Sequence, residues 1–273
     1  MIDLHLHTTA SDGTLAPAAL VERAAEAGIT VLSVTDHDTV AGLAASREAA
    51  ESLGVRLIDG IEITAVEGAR DVHMLAYFFD PGSSALLAFL ARQRSDRVRR
   101  VEEMAARLKD LGAPIDPSAL LDIVTSESGR SVGRPQVADA LVAAGHAVSR
   151  DDAFDRLLGD ECPAYVPRRG TAPAHVIALV REAGGIVSLA HPLLLGNDVI
   201  IPRLAAEGLS AIEVCHSDHD GAAERHYRAL AASLGLAVSG GSDYHGDAAH
   251  RTATIGVVTL PPEDLARLEA RRS

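Results

Sequence analysis

Aromatic side chains are scarce in this sequence, which contains no tryptophan, four tyrosines and four phenylalanines. Proteins that hold single-stranded nucleic acid without sequence preference stack successive bases on aromatic rings. Because aromatic residues make up only 3% of the chain, an extended stacking platform of that kind is not expected.

The sequence also lacks an excess of basic residues, since its formal net charge is −13. Electrostatic binding to a nucleic-acid duplex depends on neutralising many phosphates, so a duplex is not an expected partner. A small phosphorylated substrate stays compatible with this charge. Two or three bound divalent cations would make a site locally positive whatever the overall balance.

The sequence also has few cysteines and no long apolar run. Cys162 and Cys215 are too few for a disulfide framework and lack metal-ligand spacing, so we interpret them as buried thiols in a reducing cytoplasm. No apolar run approaches the ~20 residues of a membrane span, and no basic segment followed by an apolar core opens the chain. We therefore expect a cytoplasmic protein without membrane contact.

The 273 residues suit one α/β domain of ~250 residues, with or without a modest insert. Strand and helix patterns alternate over the first eighty residues, which predicts a parallel sheet with helices outside it. The predicted strands here are 2–7, 29–35, 55–63 and 72–79, and the predicted helices are 17–27 and 40–53.

The middle of the chain is predicted to be helical, with one long helix over 84–111 and shorter ones at 117–124, 134–144 and 151–158. Strand patterns return at 185–190, 211–215, 236–239 and 254–258. We expect residues 81–162 to form a helical insert domain that caps the mouth of a βα barrel made by residues 1–80 and 163–273.

Histidines and acids cluster where predicted strands end or begin. His5 and His7 share one face of the first strand, because alternate side chains of a strand point the same way. The others are Asp12, His37, Glu62, His73, His191, Asp243 and His245. Singly, each is more simply explained as a structural residue or a turn.

Together, these six histidines and three acids indicate a catalytic metal centre. Active sites of parallel α/β proteins lie at the carboxyl edge of the sheet, and burying so many ionisable groups there without a cation would be costly. Mixed imidazole and carboxylate ligands suit manganese, iron or zinc.

Five segments resemble the motifs of the polymerase and histidinol phosphatase (PHP) superfamily, in the same order and over nearly the whole chain. They are Asp3-Leu-His5-x-His7-x4-Asp12-Gly13, Thr35-Asp36-His37-Asp38-Thr39, Gly60-Ile-Glu62, His191-Pro192 and Ser242-Asp243-x-His245. The resemblance implies a distorted seven-stranded βα barrel with two or three divalent metal ions. We expect manganese, with iron or zinc as alternatives.

The resemblance also implies a distribution of ligands over three ions, with Glu62 bridging. One ion would be held by His5, His7, Glu62 and Asp243, a second by Asp12, His37 and His245, and a third by Glu62, His73 and His191. A metal can lower the pKa of bound water to about 7. The expected reaction is therefore hydrolysis of a phosphate ester by a metal-bound hydroxide, without a protein nucleophile.

A fuller resemblance is to stand-alone members that act on nucleoside 3',5'-bisphosphates and short 5'-phosphorylated RNA. It is carried by Ser11-Asp12-Gly13-Thr14, Gly133-Arg134-Pro135, Tyr165-Val166-Pro167 and Ile212-Glu213-Val214. It implies that Arg134, Arg168 and His219 bind substrate phosphate, a role that suits the planar fork of arginine. Gln136 departs from the pattern, since that subfamily often has histidine there.

The predicted function is removal of the 3'-phosphate from a nucleoside 3',5'-bisphosphate, with short single-stranded RNA as a further substrate. The alternatives are a histidinol phosphate phosphatase and a non-catalytic nucleotide-binding sensor. No oligomeric state follows from the sequence.

Five arginines make a basic stretch in the long predicted helix, namely Arg92, Arg94, Arg97, Arg99 and Arg100. We interpret them as a solvated helical face paired with Glu102 and Glu103. The alternative is that they draw phosphorylated substrates toward the barrel mouth.

Overall fold

The computed structural model describes residues 1–68, 70–125, 129–246 and 254–272. Within these residues seven strands lie in one sheet, in the same order as along the chain. The strands are β1 (Ile2–Asp3), β2 (Val31–Val34), β3 (Arg56–Glu67), β4 (Arg70–Tyr77), β5 (Ile186–Leu189), β6 (Ala211–Cys215) and β7 (Ala237–Gly240).

The prediction of an all-parallel sheet is wrong at β4, which runs antiparallel to both β3 and β5. The other neighbouring pairs are parallel. Only two residues separate Glu67 from Arg70, which pair with each other across the hairpin. A connection of that length can only join antiparallel strands, because a parallel pair needs a crossover of a dozen residues or more.

Backbone hydrogen bonds between the two ends of the sheet close it into a barrel. The amide of Leu4 donates to the carbonyl of Gly240 at 3.1 Å, and the amide of His7 donates to the carbonyl of Tyr244 at 3.0 Å. The predicted distorted seven-stranded βα barrel is therefore confirmed. The strand predicted at 254–258 is wrong, since these residues form a turn; the free edge of β1 is already occupied by the segment after β7.

Helices surround the barrel and fill the middle of the chain. They are α1 (Pro17–Glu26), α2 (Leu43–Leu53), α3 (Ser84–Asp110), α4 (Ser118–Thr125), α5 (Arg134–Ala143), α6 (Arg150–Ala153), α7 (Pro173–Glu182), α8 (Pro192–Leu195), α9 (Ile201–Ala206), α10 (Gly221–Ser233) and α11 (Pro262–Glu269). A π-helical turn over Phe154–Leu158 continues α6, and a 3₁₀ turn over Asp198–Ile200 precedes α9. The four helices predicted between 84 and 158 all form, with ends within a few residues of the predicted ones.

Two apolar clusters hold the described residues together. The first fills the barrel and the space under its outer helices, with Leu32, Ile61 and Leu189 among its members. The second lies among α3, α5 and their neighbours and contains Met104 and Leu141. The helical segment thus has a core of its own, while the proposed boundaries at residues 81 and 162 stay a prediction.

None of the helices described is long and apolar enough to cross a membrane. The thiol of Cys215 is buried, that of Cys162 is half-buried, and neither is in a disulfide.

Candidate metal centre

The barrel brings all nine predicted metal ligands to one edge. Those in loops are His5 and His7 after β1, Asp12 beyond them, His37 after β2, His191 after β5, and Asp243 and His245 after β7, while Glu62 lies in β3 and His73 in β4. Because β4 is antiparallel, its beginning lies beside the carboxyl-terminal part of β3. The reversed strand therefore delivers its histidine to the same edge as the parallel strands.

Two imidazoles and two carboxylates converge in the buried part of the site. Asp243 Oδ1 lies 3.2 Å from the Nε2 atoms of both His5 and His7. Glu62 Oε2 lies 3.5 Å from the same atom of His5 and 3.3 Å from that of His7. Among the described residues, these two nitrogens and Glu62 Oε2 have no hydrogen-bond partner.

Buried polar groups are normally satisfied, so these converging, unpartnered atoms are best explained as metal ligands. The donor set of imidazole nitrogen and carboxylate oxygen fits manganese, iron or zinc. The residues present therefore fit the predicted metal.

A second group surrounds Asp12, whose Oδ2 lies 3.6 Å from His37 Nε2 and whose Oδ1 lies 3.4 Å from His245 Nε2. His7 completes this group, in which one ligand atom from each residue lies within 4.8 Å of the others. This grouping matches the second predicted ion, with His7 added.

A third group surrounds Glu62, whose Oε1 lies 2.8 Å from His73 Nδ1 and 3.1 Å from His191 Nε2. The other oxygen of Glu62 lies 3.0 Å from His37 Nδ1. The two oxygens thus face different groups of histidines, as a bridging ligand would require. The division of these residues among two or three ions stays a prediction.

Burial and neighbouring charges set the ionisation of the cluster. Burial, followed by the positive charge of His245, lowers the pKa of His7 to about 3. Burial opposes the charging of His245, but Asp12 and Asp243 outweigh it and raise its pKa to about 9. Burial also opposes ionisation of Glu62, yet the surrounding histidines hold the pKa of that carboxyl well below its usual value. A neutral His7 and an ionised Glu62 are the forms that bind metal.

Glu213 supports the centre from behind, and the sequence analysis did not assign it a role. It is fully buried and accepts hydrogen bonds from His5 Nδ1 at 2.9 Å and from the His191 amide at 2.7 Å. With its proton on Nδ1, His5 has the lone pair of Nε2 available for a cation bound between it and the carboxylates of Glu62 and Asp243. Carboxylates commonly fix the orientation of metal-binding histidines in this way.

His216 is another residue that sequence reasoning missed. It is buried, its Nε2 lies 3.4 Å from Asp243 Oδ2, and its Nδ1 accepts a hydrogen bond from the Asp218 amide at 3.1 Å. Since Nδ1 is an acceptor, the proton of a neutral ring is on Nε2. His216 therefore donates to Asp243 and orients it. No spacing in the sequence signalled this contact.

The metal centre opens into a cavity of about 400 Å³. Its described lining contains seven of the candidate ligands, Asp12, His37, Glu62, His73, His191, Asp243 and His245, together with Phe154 and five arginines, Arg97, Arg100, Arg134, Arg150 and Arg168. The cavity can therefore hold an anionic group at the candidate metal ligands and further negative charge at the arginines.

The interpretation of the basic stretch in α3 as a solvated face is wrong for Arg97 and Arg100, which are only 6% and 3% exposed. Asp38 follows β2 and pairs with Arg97, its Oδ2 lying 2.7 Å from Nε. The ion pair with Asp38 holds the face of α3 that carries Arg97 and Arg100 at the cavity. Arg99 does pair with Glu103, at 2.9 Å, as predicted.

The predicted phosphate ligands differ in whether they line the cavity. Arg134 and Arg168 line the cavity. His219 is not among the described residues that line it; its Nδ1 donates to the Val214 carbonyl at 2.8 Å and its ring stacks on Tyr227. Gln136 donates through Nε2 to the Ser11 carbonyl at 2.6 Å, which ties α5 to the loop that carries Asp12.

Known proteins resemble this chain over most of its length. A family model for the PHP domain matches residues 3–115. The 5'-3' exoribonuclease Rnm of Escherichia coli is 34% identical, over 89% of this chain and 84% of the relative. A phosphoribosyl 1,2-cyclic phosphate 1,2-diphosphodiesterase of Eggerthella lenta is 33% identical, over 89% and 94%. A 3',5'-nucleoside bisphosphate phosphatase of Chromobacterium violaceum is 32% identical, over 89% and 87%.

A solved structure from Bifidobacterium adolescentis, described as a metal-dependent phosphoesterase, superposes with a TM-score of 0.90 at 35% identity and covers 100% of this chain and 96% of that one. The predicted hydrolase class is confirmed by these relatives. Their extent of identity, the shared barrel and the converging histidines and acids establish that this chain belongs to the PHP family of metal-dependent phosphoesterases.

Proposed function

We propose that the protein removes the 3'-phosphate from nucleoside 3',5'-bisphosphates, and that short 5'-phosphorylated RNA is a further substrate. The observation that carries this proposal is that one cavity is lined both by candidate metal ligands and by arginines. A substrate with two phosphates matches these two kinds of lining residue. The names of the E. coli and C. violaceum relatives support nucleic-acid-derived substrates.

We assign metal binding to the nine residues predicted from the sequence, His5, His7, Asp12, His37, Glu62, His73, His191, Asp243 and His245. Divalent cations bound there would activate a water molecule and neutralise phosphate oxygens. Manganese is the expected metal, with iron or zinc as alternatives, and two or three ions fit the grouping of ligands.

The protein's own groups position the substrate. Arg134 and Arg168 add positive charge to the lining of the same cavity. The guanidinium carbon of Arg134 lies 5.8 Å from the centre of the Phe154 ring, so an apolar surface borders the anionic subsite. That surface suits the ribose and base of a nucleotide. His219 stays a predicted phosphate ligand: its Nδ1 bonds the Val214 carbonyl, and its buried Nε2 has no hydrogen-bond partner among the described residues.

The test is release of inorganic phosphate by the manganese-loaded protein. Adenosine 3',5'-bisphosphate is compared with histidinol phosphate and with phosphoribosyl 1,2-cyclic phosphate, and the nucleotide product is identified. We expect the highest kcat/KM for the bisphosphate and adenosine 5'-monophosphate as the product. Preference for either other compound would contradict the substrate assignment. Nucleotide binding without turnover would favour a sensor.

A further inference from the structure

Among the described residues, five arginines line the cavity, and four of these form ion pairs with carboxylates. The pairs are Arg97 with Asp38, Arg134 with Asp160, Arg150 with Asp139, and Arg168 with Asp71. Among the residues described, Arg100 has no such carboxylate partner. Of the described cavity arginines, it is the one without an ion pair.

The Arg100 side chain is nonetheless buried, at 3% exposure. It lies three residues after Arg97 in α3, so both point from the same face of the helix. Its Nε donates to the Val166 carbonyl at 2.9 Å, while its Nη2 is buried and has no hydrogen-bond partner in the described part of the chain. A buried cation with an unused donor is costly unless an anion approaches it.

Neighbouring charges add to that cost. Burial, followed by the positive charge of Arg168, lowers the pKa of Arg100 to about 10. The group is still protonated at neutral pH, so the cavity keeps an unneutralised positive charge. An anionic ligand would remove both the repulsion and the unsatisfied donor.

We propose that Arg100 binds the phosphate of the substrate that is not hydrolysed, with Nη2 as a donor to its oxygens. This inference rests on the function proposed above and makes Arg100 a determinant of specificity for substrates with two phosphates. Charge-assisted bonds from a guanidinium to phosphate are strong and directional. Val166 fixes the side chain in advance, so little ordering is needed when the phosphate binds.

The first test measures the affinity of the metal-loaded protein for adenosine 5'-monophosphate, which carries only the phosphate in question, and for adenosine. We expect Arg100→Gln to weaken binding of the monophosphate roughly tenfold to a hundredfold and to leave adenosine binding unchanged. Arg92→Gln is the matched control, because Arg92 is exposed on the same helix and lies outside the cavity lining. Equal binding by Arg100→Gln and wild type, or no preference of the wild type for the phosphate, would overturn the assignment.

The second test compares hydrolysis of adenosine 3',5'-bisphosphate and adenosine 3'-monophosphate. Arg100→Gln should lower kcat/KM for the bisphosphate mainly through KM and leave the 3'-monophosphate almost unaffected. Equal losses on both substrates would show a merely structural role and overturn the proposal.

Arg100→Lys guards against misfolding of the glutamine variant, and thermal unfolding of both variants is compared with wild type. Lysine keeps the charge but cannot bond Val166 and a phosphate as the guanidinium does, so it should restore part of the affinity. If the wild type releases no phosphate from either nucleotide while Arg100→Gln still loses monophosphate binding, the proposed reaction fails and the role of Arg100 stands.

Discussion

The Glu62 carboxylate lies among most of the candidate metal ligands. Its two oxygens lie within 3.5 Å of nitrogens from five histidines, His5, His7, His37, His73 and His191. It is 1% exposed, so these contacts are screened little by water. A single carboxylate placed in this way links all three groups of candidate ligands.

Replacing His7 or Asp243 with alanine should remove metal and activity together. His7 Nε2 lies 3.3 Å from Glu62 Oε2, and Asp243 Oδ1 lies 3.2 Å from His5 Nε2. Glu62 Oε2 and His5 Nε2 have no hydrogen-bond partner among the described residues, so each variant loses a candidate ligand in the buried part of the site. We expect a large loss of bound manganese and of phosphate release, with an unchanged circular dichroism spectrum. His226→Ala, on the exposed side of α10 and paired with Asp198, is the control. Full metal content in both site variants would refute the assignment.

Glu213→Gln should weaken metal binding without removing a ligand. The amide cannot supply the charge that holds His5 Nδ1, and loss of such a supporting carboxylate typically costs about 10- to 100-fold in metal affinity or activity. Competition with a chelator of known affinity measures the change. Glu102→Gln, exposed on α3, should behave like wild type. An unaltered affinity in Glu213→Gln would show that the hydrogen bond to His5 does not tune the site.

The sequence predicted the candidate ligands but not their supports. Strand-end positions and residue types identified His5 and Asp243, whereas Glu213 acts on His5 across 208 residues of sequence. Such a contact has no local signal, because it exists only once β1 and β6 share a barrel. The burial of Arg100 could not be predicted for the same reason, because α3 would be solvated in isolation and its Arg100 side is covered only in the folded protein.

At the scale of elements, one buried ion-pair network docks α3 onto the barrel. Asp38 accepts from Arg97 Nε at 2.7 Å, from Arg168 Nη1 at 3.4 Å and from the Thr64 amide at 2.9 Å. The network joins the loop after β2, strand β3, helix α3 and the loop before α7. The cavity wall therefore depends on a single carboxylate.

Asp38→Asn should destabilise the fold by about 3–5 kcal/mol, the usual cost of removing one partner of a buried pair. Burial opposes ionisation of Asp38, but Arg97 and Arg168 hold its pKa below the usual value. The unfolded chain binds the proton first, near pH 3.9, so this stability is complete above about pH 4 and is lost as pH falls through the folded-state pKa.

Urea unfolding at neutral and acidic pH measures the free energy of unfolding of wild type and Asp38→Asn. The gap between wild type and Asp38→Asn should be large at pH 7 and shrink below about pH 4. Asp110→Asn, at the exposed end of α3, should leave stability unchanged at both. A gap that is constant with pH would rule out the charge of Asp38 as its source.

Helices were easier to predict than strand direction. The long helix predicted at 84–111 is α3, and the shorter helical patterns all form where expected. Apolar periodicity is local and survives any tertiary arrangement, whereas the direction of β4 depends on the length of one turn. The strand predicted at 254–258 was wrong because its pattern could not show that the barrel was already closed.

At the scale of the whole molecule, metal binding and folding are coupled. The nine candidate ligands come from segments far apart along the chain and converge only in the folded protein, so cations that bind them would favour the folded state. A ligand that binds only the folded state at 100 times its Kd adds about 2.7 kcal/mol.

Chelation should therefore lower the unfolding midpoint by roughly 5–10 °C, given the usual response of proteins this size. Differential scanning calorimetry with EDTA, and then with manganese restored, measures the shift and its reversal. The Asp243→Ala variant should show a smaller shift under the same treatment. An EDTA-insensitive midpoint in wild type would contradict the coupling.

The closure of the barrel by hydrogen bonds between the segments after β1 and after β7 also bears on synthesis at the ribosome. His5 and His7 leave the exit tunnel more than two hundred residues before Asp243 and His245. Over that length of synthesis the nascent chain carries an incomplete set of candidate ligands. Hydrolysis must wait until the segment after β7 returns to the segment after β1, which confines activity to chains that have been translated beyond His245.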